Sequence, residues 1–175
     1  MDWYALFVET GNEEMVQALI YKFFDQSLIQ AIVPKRKLKE RRQGKFYEVC
    51  RTMFPGYVFV HTVLNVDTYY ELKNIPRCYR LLNKFNFIDE STGKHVFHKI
   101  DDEEMVYIID LISKNGEIDY SNVYVENAKV IVRDGPLKGR EGIIKKIDKR
   151  KRRARIELNF MGKEVRFDVG INLLE

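Results

Sequence analysis

FPGYVFV, residues 54–60, decides the fold. A Pro-Gly pair marks a turn, and the aromatic and β-branched residues beyond it, running on to His61, have the composition of a strand. Toward the N-terminus, DWYALFV at 2–8 sets Trp3, Ala5 and Phe7 on one face and Tyr4, Leu6 and Val8 on the other. A strand apolar on both faces needs cover on each side. Between these two strands, Asn12 is placed to cap a helix with Glu13 and Glu14 in its first turn, and Met15, Val16, Leu19, Ile20, Phe23 and Phe24 follow at helical spacing. Residues 28–33 read as a second strand and 34–44 as a charged excursion. Beyond the quoted stretch, a short helix from Asp67 must stop before Pro76, because the residue before proline is pushed out of helical geometry. Residues 78–82 read as a fourth strand and 85–99 as a loose hairpin around the turn signal at 91–93. Asp101 and Glu104 then form a capping pattern for a helix carrying Met105, Ile108, Ile109 and Ile112 on one face, ended by Asn115 and Gly116.

The texture changes after residue 116. The stretch 117–126 is polar with few packing residues and reads as a linker. Short β-branched runs follow at 128–132, 142–147, 154–158, 164–168 and 171–174, the spacing of a small barrel. The expected fold class is α+β: an antiparallel sheet flanked by helices over 1–116, then a five-stranded β-barrel over 127–175, small enough to be only marginally stable alone.

The 175 residues carry 30 Lys and Arg against 26 Asp and Glu, and 45% are apolar, the composition of a globular chain. The longest apolar runs are a few residues, so neither a membrane span nor a signal peptide is expected. Cys50 and Cys78 cannot form a disulfide framework and form no CxxC pair, which points to the cytoplasm. The charge is unevenly placed: residues 1–122 are net −2, while residues 123–175 hold 14 basic against 8 acidic groups, net +6. Residues 35–45 carry seven basic groups and one acid, and 149–155 six basic groups in seven positions. Either run could be a solvated loop; the second, lying in a segment with its own basic excess, is the better candidate for a polyanion.

Two segments in this order resemble the NusG family of transcription elongation factors. FPGYVFV with the opening WYALFV and its following helix resembles the N-terminal (NGN) domain, and VIVRDGPLKGREGIIKKID at 130–148 resembles the KOW motif, including Gly135, Pro136, Gly139 and Gly142. The KOW motif also occurs in ribosomal proteins; the pair in this order is specific. Three departures point to a specialised paralog, most like the LoaP-type antiterminators: the basic excursion at 35–45, Asn86, Phe87 and Ile88 in place of a glycine-rich segment, and the basic run at 149–155. The resemblance implies a KOW domain of the SH3-like barrel type.

Trp3, Tyr4, Phe54, Pro55, Gly56 and Tyr57 form one candidate site. Helices at 12–24 and 101–114 can cover one sheet face and leave the other for a partner; alternatively helices cover both and the aromatics are core. The resemblance implies the first, with matching positions receiving the clamp helices of the largest RNA polymerase subunit, and 67–74 loosely resembling a contact to the opposing wall of the cleft. Such a bridge would disfavour the opened, paused polymerase by population shift. The second candidate site gathers Lys138, Arg140, Lys145, Lys146, Lys149, Arg150, Lys151, Arg152, Arg153 and Arg155 for RNA emerging from polymerase, a structured leader element, with non-template DNA a further possible contact. Phe160, in NFMG, matches a family partner-contact position and could equally pack on its own barrel.

GPLKGREG lacks the Ser or Thr and the strand-to-helix context of a phosphate-binding loop. His61, His95 and His98 lack metal-ligand spacing, so no metal or cofactor is expected. With no nucleophile constellation, the chain reads as a non-enzymatic monomer without a membrane partner. The competing class is a ribosome-associated, KOW-containing structural RNA-binding protein.

Overall fold

The computed structural model describes residues 1–81, 87–88, 91–93 and 95–175. In chain order the elements are β1 (Asp2–Val8), α1 (Glu13–Phe23), β2 (Ile29–Ile32), β3 (Lys35–Arg42), β4 (Lys45–Thr52), β5 (Tyr57–Thr62), α2 (Val66–Lys73), β6 (Cys78–Leu81), β7 (Phe87–Ile88) and β8 (His95–Val96). They continue with α3 (Asp102–Leu111), β9 (Glu117–Ile118), β10 (Ser121–Glu126), β11 (Lys129–Asp134), β12 (Ile144–Asp148), β13 (Arg153–Phe160) and β14 (Lys163–Leu173). Two compact units divide the chain: 1–33 with 54–105, and 34–53 with 106–175. The fold class is α+β, as read.

In the first unit, β2, β5, β1 and β6 form an antiparallel sheet in that spatial order. Tyr4 opposes Val60 and Leu6 opposes Val58, so the even positions of both strands share one face. That face, joined by Ile29 and Ala31 of β2, packs against Val16 and Ile20 of α1 and Leu72 of α2 in one buried cluster. The covering pair is therefore α1 with α2, where the sequence suggested α1 with the helix at 101–114. The edge of β2 is satisfied by α1: Tyr21 Oη donates to the Ala31 carbonyl at 2.7 Å and accepts from Ala31 N at 3.0 Å. Asn12 precedes α1 but makes no side-chain cap. The helix read from Asp67 begins at Val66, and Asn65 caps it, accepting from Thr68 N at 2.8 Å. Leu82 and Asn86, parts of the expected fourth strand and of the replaced glycine-rich segment, lie outside the described residues. Phe87–Ile88 and His95–Val96 pair antiparallel around the expected turn.

The second unit overturns the expected linker. Ser121–Glu126 is strand β10, paired antiparallel with β11 and parallel with β14, and Ser121 and Val123 are buried. Its alternation, Ser121, Val123 and Val125 against Asn122, Tyr124 and Glu126, is that of a half-buried strand, which average polarity hides. The runs at 164–168 and 171–174 are correspondingly one strand, β14, which pairs with β13 along its first part and with β10 at its end. The curled five-stranded sheet has the order β11-β10-β14-β13-β12. On β13, Ala154, Ile156, Leu158 and Phe160 point inward at strict period two.

The charged excursion is an ordered hairpin belonging to this unit. β3 and β4 pair in full register from Lys35↔Thr52 to Arg42↔Lys45, and β3 pairs in parallel with β9.

Candidate functional site

Phe54-Pro55-Gly56-Tyr57 closes as a β-turn: Tyr57 N donates to the Phe54 carbonyl at 3.1 Å. Proline at the second position and φ of +86° at Gly56 make it type II, a conformation that needs glycine there. Two bonds fix the turn to its surroundings, and a third holds the carboxylate that makes one of them. Val8 N donates to the Gly56 carbonyl at 2.8 Å, Gly56 N donates to Glu13 Oε1 at 2.7 Å, and Gly11 N donates to Glu13 Oε2 at 2.9 Å. Glu13 is 5% exposed, so one buried carboxylate ties the turn to the start of α1.

Beside this turn lies an aromatic patch on the sheet face opposite α1 and α2. Phe7 sits 5.8 Å from Tyr57 and 5.6 Å from Tyr79, with the Arg80 guanidinium 5.8 Å from its ring. Phe54 meets Phe59 edge-on at 5.2 Å. Phe7, Phe54 and Tyr57 are half-buried, Pro55 is exposed and Tyr79 is 49% exposed. The other end of this face is closed: Ala5 and Phe59 are buried, and Trp3, 8% exposed, stacks on His61 at 4.7 Å. Tyr4 is core, facing α1 and α2. Of the six expected docking residues, Phe54, Pro55, Gly56 and Tyr57 are brought together. Trp3 and Tyr4 are corrected to structural roles, because consecutive strand residues face opposite ways and the two cannot share a surface.

In the second unit, the hairpin lies against β14 and β13. Arg36 Nη1 donates to the Asp168 carbonyl at 2.7 Å, and its guanidinium lies 5.9 Å from the Phe167 ring. Lys39 Nζ donates to Asn172 Oδ1 at 2.7 Å and sits 4.8 Å from the Tyr120 ring. Arg153 Nη2 donates to the Lys39 carbonyl at 3.5 Å. A Cβ on Gly170 would lie 2.6 Å from the Lys37 carbonyl, so the hairpin and β14 approach as closely as backbone allows. Burial holds Arg36 below its usual pKa, offset by Asp168 and reinforced by Arg153.

This packing opens a cleft of about 810 Å³ lined by Lys39, Arg41, Arg42 and Phe46 from the hairpin and Arg150, Lys151 and Arg153 from the barrel. Arg152 lies over Phe46, 4.5 Å from the ring centroid. The remaining expected basic residues are differently engaged. Arg140 pairs with Asp110 at 3.1 Å, Lys145 with Glu157 at 3.6 Å, and Arg155 with Asp168 at 2.9 Å. Burial would raise the Asp168 pKa, but hydrogen bonding from Arg155 and the charges of Arg155, Arg153 and Arg36 hold it below the usual carboxylate range. Lys138, Lys146 and Lys149 are exposed. The GPLKG turn is structural: Lys138 N donates to the Gly135 carbonyl at 3.1 Å, and Leu137 N to Ser121 Oγ at 3.0 Å. Phe160 is 2% exposed, inside the sheet's own core, which agrees with the second of its two readings, packing on its own barrel. Among the described residues no group of three or more His, Cys, Asp or Glu side chains is placed to hold a metal ion.

Residues 1–109 match the family described as "Transcription termination factor nusG", and residues 126–159 match the KOW motif. The chain belongs to the NusG family. The "Transcription termination/antitermination protein NusG" of Halalkalibacterium halodurans is 24% identical over 179 residues, covering 99% of this chain and 97% of that protein. The Bacillus subtilis protein of the same name is 25% identical over 168 residues, covering 93% and 91%. A solved structure titled "Domain interaction in Thermotoga maritima NusG" aligns with a TM-score of 0.57 at 22% identity, covering 97% of this chain and 93% of that one, and shares its fold.

Against this NusG-family background, two groups of functional candidates escaped the sequence reading. Phe7 and Tyr79 belong to the aromatic patch; Phe7 could have been found from its period-two relation to Ala5 and its place opposite Tyr57. The hairpin residues Lys39, Arg41, Arg42 and Phe46 belong to the basic cleft, and no local signal links them to a run more than a hundred residues later.

Proposed function

We propose that this NusG-family chain acts in transcription as an elongation and antitermination factor, docking on RNA polymerase through the aromatic patch beside the 54–57 turn. The supporting observation is the patch itself: Phe7, Phe54, Tyr57 and Tyr79 hold partly exposed rings on and beside a turn fixed by a buried carboxylate. Rigid aromatics on a preorganised backbone lose little entropy on binding and are common hot-spot anchors. The partner surface is a helical tip, the clamp helices of the largest polymerase subunit, which fits a shallow aromatic face. Held there, the factor favours the closed polymerase over the paused one by differential affinity. The C-terminal unit contacts nascent RNA through its basic residues, and its unusual share of cations suits an operon-specific paralog.

The test is the affinity of the full chain for polymerase. Tyr79→Ala, an exposed change, and Tyr57→Ala should each weaken it by about 2 kcal/mol with the circular dichroism spectrum intact. Unchanged affinity in both variants would overturn the docking assignment, and co-sedimentation with ribosomal particles in place of polymerase would favour the competing class.

A further inference from the structure

The two basic runs of the sequence meet across one cleft, and the cleft has a definite chemistry. Six cations line it, Lys39, Arg41, Arg42, Arg150, Lys151 and Arg153, against one carboxylate, Glu40. Glu40 is already held by Arg51 at 2.9 Å and Arg42 at 3.3 Å, and Arg153 faces Asp168 at 4.0 Å, so cations still outnumber carboxylates at the cleft. Arg153 Nε is buried without a hydrogen-bond partner. Burial and, second to it, the nearby Arg152 guanidinium hold Lys39 below the ordinary lysine range. Like charges held this closely by a folded scaffold are stabilised by an anionic occupant.

The one aromatic ring in the lining selects among polyanions. Phe46 is 36% exposed, with Arg152 4.5 Å and Arg41 5.9 Å from its centroid. An accessible ring flanked by guanidinium planes is a stacking platform for an unpaired base, while the surrounding Arg and Lys groups follow a phosphate backbone. A cleft of about 810 Å³ is of small-ligand size. It has room for a short unpaired stretch of nucleic acid.

We infer that the cleft between the β3–β4 hairpin and the β12–β13 turn is a composite binding site for single-stranded RNA, with phosphates on both basic runs and a base on Phe46. The inference deepens the RNA-contact part of the proposed function and rests on it. It differs in its claim that the hairpin, from the N-terminal half of the sequence, supplies half of the site.

The experiment is fluorescence anisotropy of the full chain with labelled single-stranded oligonucleotides, a duplex RNA of equal length and, as an acidic polypeptide, polyglutamate. Wild type should prefer single-stranded RNA, with a log–log salt slope of about −3 for roughly four phosphates. Arg150→Gln with Lys151→Gln should weaken binding about tenfold and flatten the slope toward about −1.5. Arg41→Gln with Arg42→Gln should do the same. Phe46→Ala should lose about tenfold and Phe46→Trp should keep the affinity, the pattern of base stacking. Lys22→Gln with Lys163→Gln, both exposed and outside the cleft lining, should change it little. If the Arg150 and Lys151 changes weaken binding while the Arg41 and Arg42 changes do not, the composite site is overturned and the C-terminal RNA reading stands. If no variant binds differently from wild type, both fall. Equal affinity for polyglutamate, or preference for duplex, also overturns the single-stranded assignment.

Discussion

The aromatic turn of the first unit and the basic cleft of the second are built in opposite ways. The turn is local: four consecutive residues carry its shape, and one carboxylate 43 positions earlier in the chain fixes it. The cleft is assembled from hairpin and barrel residues held together by bonds such as Arg36 to the Asp168 carbonyl, across 132 positions. A local site keeps its geometry as long as its strand ends do. A composite site exists only while its two halves stay packed, so its binding should be coupled to the stability of the seam.

The largest effect that would sharpen this contrast concerns the barrel half. Gly135 has φ of +98°, and a Cβ there would lie 2.6 Å from Ser121 Cα. Gly135→Val should destabilise the second unit by about 3 kcal/mol, read by thermal or urea unfolding, and abolish RNA binding while polymerase docking survives. Loss of both functions together would break the contrast. Next, Tyr79→Ala should reduce polymerase affinity by about 2 kcal/mol and leave RNA binding unchanged in the same preparation. Arg36→Ala removes a half-buried charge-assisted hydrogen bond from the seam. It should lower the stability of the second unit by about 1.5 kcal/mol and weaken RNA binding although Arg36 is not part of the cleft lining.

Smaller effects follow from protonation. Asp168 has a pKa lowered in the folded state, so its ion pairs contribute stability above the unfolded carboxylate value, and that contribution is lost as pH falls through the folded value. Wild type should therefore lose more stability than Asp168→Asn between neutral pH and about pH 3, measured by urea midpoints. Burial pushes the Cys78 thiol up to about 11, whereas Cys50 is exposed. Iodoacetamide at neutral pH should label Cys50 first, as mass spectrometry of digests would show.

The legibility of each feature follows its locality. WYALFV, FPGYVFV and the α1 pattern encode strand and helix within a few residues, and the first sheet was readable from them. Trp3 and Tyr4 share the aromatic character of a docking surface, but strand alternation sets them on opposite faces. The stretch 117–126 has the average polarity of a linker because Ser121, Val123 and Val125 alternate with polar residues; the burial of Ser121 and Val123 depends on β14 arriving from fifty residues away. Phe160 looked like a tip residue because it precedes Met161-Gly162, yet the inward phase of Ala154, Ile156 and Leu158 carries it into the core. The cleft was invisible for the same reason that makes it composite: neither basic run contains information about the other.

The docking claim is tested most directly by replacing Tyr79 with a photo-crosslinking phenylalanine and irradiating the full chain on a transcribing polymerase. The account predicts a crosslink to the largest polymerase subunit, and none from the same probe at Tyr47, an exposed tyrosine of the hairpin. A silent probe at Tyr79 on a complex that otherwise forms, or a crosslink from Tyr47 to that subunit in its place, would contradict it.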